Sequence, residues 1–431
     1  MPTLPFAVIP TPLGTIATGN ERAEKPASHL GEFKAPGMTW KSNGNSNLWI
    51  RGDFGTAKPI DFVSMLAANA LPGTTFRINL ASTQTDVDGP GFRAISDNGN
   101  TTTVNLSGPY SVEKTSGADG AYNASAVSLA SISGDFVLRI KPVTTNKDMF
   151  FGVNTDPLTD NTNSSIDRAI YFPGNPALGA RVWENGVQLF TGPAYSTSQY
   201  WFIRRIGSTI TYLVGTSTDV DEATLVYTGA SSSAAMHFDS AISGLNGKAE
   251  VYFTHGGYDS GEVPFINPSI TREDGLYHSH IELPKKVSQR WWRIDISGHT
   301  GDFEAAMLVM GEKLTPANWY SPGWQRGVED LGDISINRYG IADEQAGQIW
   351  RTLMMRFGWM SEADYETKFG PLVERLGKRG VALWCFDPTS SIYRQRKTYY
   401  GYLRNSPIAT HSRDTPAGIR YDKEFQILSM F

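Results

Sequence analysis

One cysteine, Cys385, in 431 residues excludes an intrachain disulfide framework, so the fold must rest on core burial and assembly contacts. It lies in the apolar run Val381–Phe386, where a lone thiol reads as inert packing. Charge is sparse as well: charged side chains make up 19% of the chain and the net charge is −5, which offers no field for nucleic acid. No apolar run reaches the ~20 residues of a membrane helix. The segment Met1 to Pro10 lacks a basic region and is broken by prolines, so no signal peptide and no membrane insertion are expected. A soluble protein made in a cytoplasm is the expectation. Long Ala-, Glu- and Lys-rich helical repeats are missing too. What is present is 43 Gly, 24 Pro and 12% aromatic residues, the mix of a mainly β chain with many turns. Its length predicts two to four units at ~100–200 residues each.

Along the chain, residues 1–35 read as an extended arm, because Pro2, Pro5, Pro10, Pro12 and Pro26 oppose regular pairing. Strand signals begin near Trp40, with Asn47–Arg51 and Thr74–Leu80, and Pro59 to Ala70 between them reads as a short helix. A Ser-, Thr-, Asn- and Gly-rich stretch follows. Then Asp135–Lys141 alternates Phe136, Leu138 and Ile140 on one face. Tyr200–Ile206 and Thr209–Val214 flank Gly207-Ser208, a hairpin with a type II′ turn. The strands His278–Leu283, Trp291–Ile296 and Phe303–Met310 match residues 40–80 in style, which makes residues 83–257 an insertion in one discontinuous sandwich, 36–82 with 258–330. Residues 331–431 form an α+β module. In it Leu353, Met355, Phe357 and Trp359 share a strand face, and Ser361 caps a helix that Gly370-Pro371 kinks.

Arg290–Ile296 followed by Phe303–Gly311 resembles the closing strands of a galactose-binding-like jelly roll. Phe136–Phe253, through Arg181-Val-Trp-Glu-Asn-Gly186 and Phe202–Tyr212, resembles concanavalin-like or laminin-G-like sandwiches. Residues 331–431, with Trp384-Cys-Phe-Asp387 and Thr398–Tyr402, are similar to small belt modules of phage tail-tip proteins. Together they resemble minor or distal tail proteins of long-tailed bacteriophages, although those place the belt module first. The resemblance implies a virion subunit at the tail tip, assembled in the bacterial cytoplasm. It would form a homo-oligomeric ring with other tail-tip and tail-tube proteins and meet a host surface glycan. On this reading the arm and the final module bury their apolar surface against other chains, and Trp319, Tyr320, Trp324 and Tyr339 are the interface candidates. The alternative is a glycan-degrading enzyme or its accessory module.

Candidate sites follow from chemistry. Sugar binding needs aromatics beside amide and carboxylate groups, which selects Trp183, Trp201, Tyr195 and Tyr212 with Glu184 and Asn185, each also a plausible core residue. The loop with Asp156, Asp160, Asn163 and Asp167 offers oxygens for calcium, yet it breaks the EF-hand pattern and Asx residues serve any turn; no other cofactor is expected. His278 and His280 with His299 or Glu282 offer a transition-metal set, or simply edge histidines. Arg51-Gly52-Asp53 reads as structural. Arg394-Gln-Arg-Lys397 suits acidic partners or phosphate, and equally a solvated hairpin tip. No Glu-x-Asp-x-Glu run occurs in residues 136–253 and the chain has no Gly-x-Ser-x-Gly elbow, which argues against catalysis.

Overall fold

The computed structural model describes residues 4–87, 95–97, 104–105, 111–158, 162–336, 338–340, 342–345, 347–405, 408–415 and 418–431. As the composition predicts, the chain is mainly β, with 49% strand and 8% helix. Four large sheets carry it.

The central sheet runs Thr15–Thr18, Trp49–Leu66, Ile281–Ser297, Thr75–Ala81, Tyr258–Asp259. Its two long strands come from opposite sides of residues 83–257, so this sheet is built from discontinuous sequence. Trp49–Leu66 overrides the helix expected from Pro59. Proline is tolerated here because Pro59 faces Ser288 between two register shifts of the partner strand, where the ladder is already interrupted. Arg51-Gly52-Asp53 lies in the same strand. Trp292 covers Gly52 so closely that an added Cβ would lie 2.2 Å from the indole. Asp53 receives Arg290 at 2.7 Å, so the tripeptide is structural.

The inserted sandwich consists of two seven-stranded sheets. Phe136, Leu138 and Ile140 point between them as the alternation requires, and all are buried. The hairpin turn has Gly207 at φ +62°, and Ile206 pairs with Thr209.

The leader is not an extended arm. Phe6–Val8 lies between Lys313–Leu314 and Val381–Cys385 in the C-terminal sheet, and Thr15–Thr18 pairs with Ile50–Asp53. Its prolines bracket these short pairings instead of interrupting them. Phe6 and Val8 join Phe62, Met307, Val309, Leu383 and Cys385 in one buried cluster. One face of the C-terminal sheet is therefore covered by the chain's own central sheet, against the expectation that both ends bury apolar surface only on other chains. The sheet also begins before residue 331, since Gln325–Asp330 is its far edge.

In that sheet Leu353, Met355 and Phe357 are buried, but Trp359 is 57% exposed at φ +60°. A bulge between Phe357 and Met360 shifts the register and turns Met360 inward in its place. Ser361 caps the following helix, its Oγ accepting from the Asp364 amide at 3.1 Å. A π-helical turn over Tyr365–Phe369 precedes Gly370-Pro371, where the missing proline N–H breaks the ladder.

Candidate functional site

The residues selected for sugar binding part company once the faces are fixed. Tyr195, Trp201 and Tyr212 are 4%, 1% and 0% exposed and belong to the core of the insert. Glu184 is buried too; it accepts from Tyr212 Oη at 3.0 Å and the Ala230 amide at 3.1 Å, and Arg168 lies 3.4 Å away. Burial, with the Glu184 carboxylate beside it, pushes the Tyr212 hydroxyl well above its ordinary pKa. These four hold the sandwich together and cannot stack on a ligand. Asn185, at φ +49°, makes the turn before Gly186, and its Oδ1 accepts from Arg168 Nη1 at 3.3 Å.

Trp183 is different. Arg181 and Trp183 alternate with buried Val182 and Glu184, so their side chains emerge on the outer face of the sheet. There Trp183 meets Phe150 edge-on at 5.5 Å and Tyr171 at 6.3 Å. Phe150 stacks on Tyr171 at 4.5 Å, and Tyr122 closes the cluster at 5.5 Å from Phe150. Tyr171 donates to Asp148 Oδ1 at 2.6 Å, and the Arg181 guanidinium lies 5.7 Å from the Tyr171 ring. Partly exposed aromatics with polar groups at their rim are what a sugar face requires. Sequence pattern found Trp183 but missed Tyr122, Tyr171 and Asp148, which only cross-strand register brings together.

The calcium candidates do not gather. Asp167 Oδ2 is taken by the amide and hydroxyl of Thr155 at 2.9 and 2.7 Å, and the Asp156 amide donates to Asn154 Oδ1 at 3.2 Å. Asn163 is partly buried in the neighbouring turn, and Asp160 lies outside the described residues. Among the described residues no group of three or more His, Cys, Asp or Glu could hold a metal ion. His278 Nδ1 instead accepts from the Ala67 amide at 3.0 Å, and burial drives its pKa to about 3. His280 bonds Glu282 at 2.9 Å beside the Phe62 ring, and His299 contacts Thr74 at 3.3 Å.

A cleft of about 390 Å³ separates the insert from the central sheet. At its floor Asp259 receives Arg77 at 2.7 and 2.5 Å and also Arg139 from the insert. Burial alone would raise the Asp259 carboxyl, but the two guanidiniums outweigh it and hold it well below the carboxylate range. Tyr252 adds a bond to Asn79 at 2.8 Å. At the mouth Lys285 meets Asp221 and Asp219, and Arg204 lies 2.8 Å from Asp221. The hydrogen bond from Lys285 keeps Asp221 below its ordinary value.

Of the interface candidates, Tyr320 stacks on Phe386 at 4.7 Å, Trp319 lies against Tyr320 at 5.2 Å, and Trp324, 43% exposed, meets Phe386 at 4.7 Å. Tyr339 is elsewhere, 71% exposed on the turn between Asp333–Ile336 and Ala342–Gln345. That hairpin and its flanks also expose Val328, Leu331, Ile334, Ile336 and Ile349, each by more than half.

No family model matches the chain, and no curated protein is similar to it in sequence. Among solved structures, stonustoxin aligns at TM-score 0.29 and 10% identity over 37% of this chain, which spans only 28% of that one. The SPRY domain of human HERC1 aligns at 0.27 and 12%, covering 35% of this chain and 91% of the domain. The calcium-bound exoplasmic/lumenal domain of VIP36 aligns at 0.29 and 10%, covering 47% and 96%. Each alignment takes in less than half of this chain.

Proposed function

We propose that this chain is a non-catalytic structural subunit of a phage tail tip, which assembles into a ring through the hairpin at 333–345 and displays the inserted sandwich toward a host surface glycan. One observation carries the assembly reading: Val328, Leu331, Ile334, Ile336, Tyr339 and Ile349 are 54–71% exposed along the strands Gln325–Asp330 and Ile349–Ser361 of the C-terminal sheet and the separate two-stranded hairpin that connects them. Burial of such side chains is worth ~1.5–3 kcal/mol each, so a partner surface has a strong driving force to cover them. All of these except Val328 fall within residues 331–431, whose sequence resembles tail-tip modules. Tail-tube and other tail-tip proteins are the partners this arrangement fits.

The aromatic face around Trp183 and Tyr171 supplies the attachment surface. A single platform of this kind binds a sugar weakly, and a ring of copies raises the avidity. The alternative, a glycan hydrolase, needs a carboxylic acid with a raised pKa facing a second carboxylate. The acids at the cleft mouth run the other way, since Asp221 is tied to Lys285 and Arg204.

Electron microscopy of the purified full chain tests the reading. Closed rings of one size support it, whereas uniform single particles at micromolar concentration contradict it.

A further inference from the structure

Beside the open hairpin lies a second cavity, of about 510 Å³, whose lining is Arg272, Arg326, Arg351, Arg396, Gly327, Val328 and Tyr399. Among the described residues no Asp or Glu belongs to its lining. Its arginines come from four places: Arg326 from the edge strand Gln325–Asp330, Arg351 from its neighbour Ile349–Ser361, Arg396 from the turn Gln395–Lys397, and Arg272 from the loop before Ile281.

We propose that this cavity binds a phosphate-class oxyanion, held by the guanidiniums of Arg272, Arg326, Arg351 and Arg396. Three lines of geometry support the assignment. Charge is the first. Arg272 pairs with Asp274 at 2.5 Å, but the hydrogen bonds of Arg326 go to neutral oxygens, the Tyr399 hydroxyl and the Arg396 carbonyl, so its charge stays uncompensated inside the site. Preorganisation is the second. Arg326 donates to Tyr399 Oη at 2.6 Å and to the Arg396 carbonyl at 2.7 Å. Arg351 reaches the Arg396 carbonyl and a main-chain oxygen of the terminal Phe431, the latter at 3.2 Å, and its guanidinium lies 4.3 Å from the Tyr399 ring centroid. Two planar forks are thus fixed before any ligand arrives, as bidentate anion recognition requires. The third is a buried donor: Arg272 Nη1 is shielded from solvent and has no hydrogen-bond partner.

Like charges gathered this way destabilise the folded chain unless something neutralises them. Burial, together with the positive charges of Arg326 and Arg272, lowers the pKa of Arg351 from its ordinary value. One carboxylate would leave charge over, whereas a phosphate group brings ~1.5–2 negative charges and three strong acceptor oxygens. The basic run noted at Arg394-Gln-Arg-Lys397 is only partly a solvated tip. Arg394 and Gln395 are buried and Lys397 pairs with Asp387, which leaves Arg396 to face the cavity.

Calorimetric titration of the full chain at pH 7 and low salt, with inorganic phosphate, tripolyphosphate and acetate in separate arms, tests this. Saturable one-site binding of phosphate is expected, with acetate far weaker; tighter tripolyphosphate would mark the site as fitted to linked phosphate groups. The double variant Arg326→Gln/Arg396→Gln should weaken phosphate by roughly tenfold or more, and Lys285→Gln, on the separate cleft beside the insert, should not. Arg396→Gln alone, whose wild-type guanidinium donates no hydrogen bond among the described residues, should keep the wild-type melting temperature without anion and still lose affinity. The proposal is overturned by absence of saturable heat with both phosphates, by acetate binding as tightly as phosphate, or by unchanged affinity in the folded variants.

Discussion

The inserted sandwich and the outer edge of the C-terminal sheet use the same residue types to opposite ends. In the insert, Trp201, Tyr212, Phe151 and Phe238 close against one another, and even Glu184 and Arg205 are buried with partners. At the C-terminal edge, isoleucine, valine and tyrosine side chains stand open along Gln325–Asp330 and the hairpin beyond it. Both regions alternate along pleated strands. The difference is that each insert sheet has a second sheet facing it, while the hairpin pair Asp333–Ile336 and Ala342–Gln345 forms a two-stranded sheet of its own. Two strands alone are marginal in water, and the proposed assembly contact would cover this element. The insert is finished as it stands; the hairpin is not.

That contrast yields predictions of graded size. Asp259→Ala removes the carboxylate shared by Arg77 and Arg139 and leaves two guanidiniums buried without it. Stability should fall by ~3–5 kcal/mol in urea denaturation, and a loss below ~1 kcal/mol would show the insert is not locked to the central sheet. The pH dependence has a definite sign. The folded Asp259 carboxyl titrates below the unfolded one, so its contribution is present above pH ~4 and fades as acid protonates the unfolded chain first.

Lys423→Met tests a smaller cost on the C-terminal side. Lys423 is 2% exposed, its ammonium lies 4.7 Å from the Tyr365 ring centroid, and burial lowers its pKa to about 8. Between that value and the ordinary lysine value of ~10.4 the unfolded chain holds a proton that the folded chain does not, so wild-type stability should rise with pH across the window. The methionine variant should flatten that rise and gain ~1–3 kcal/mol at pH 7. Tyr212→Phe should cost ~1–2 kcal/mol by depriving Glu184 of a buried donor, read as a lower melting temperature. Smallest of all in stability, Trp183→Ala and Ile334→Ala should each change unfolding by about 1 kcal/mol or less. The first is expected to lose retention on a glycan array, and the second to lose self-association.

How much of this was legible in the sequence depends on whether a side chain's environment is local. Phe136, Leu138 and Ile140 were readable because alternation alone decides their face. The Ser361 cap and the Gly207 turn were readable because each is set within a few residues. Trp359 was misplaced because a bulge inserts one residue, which no period-two pattern anticipates. Pro59 suggested a helix because propensity cannot see register shifts in a strand more than two hundred residues away. The leader was misread for the same reason, since its partners Val381–Cys385 and Lys313–Leu314 lie at the other end of the chain. At the sites, aromatic identity was informative and exposure was not. Trp183 and Trp201 look alike in sequence, but one sits outside a sheet and the other between two.

The proposed assembly requires that the hairpin be covered by a partner surface while the rest of the molecule folds without one. Sedimentation velocity on the full chain beside an Ile334→Asp/Ile336→Asp variant addresses it most directly. A discrete oligomer is expected for the parent chain, and a folded monomer with the same melting temperature for the variant. A parent chain that sediments as a monomer at every concentration, or a variant that oligomerises unchanged, would contradict it.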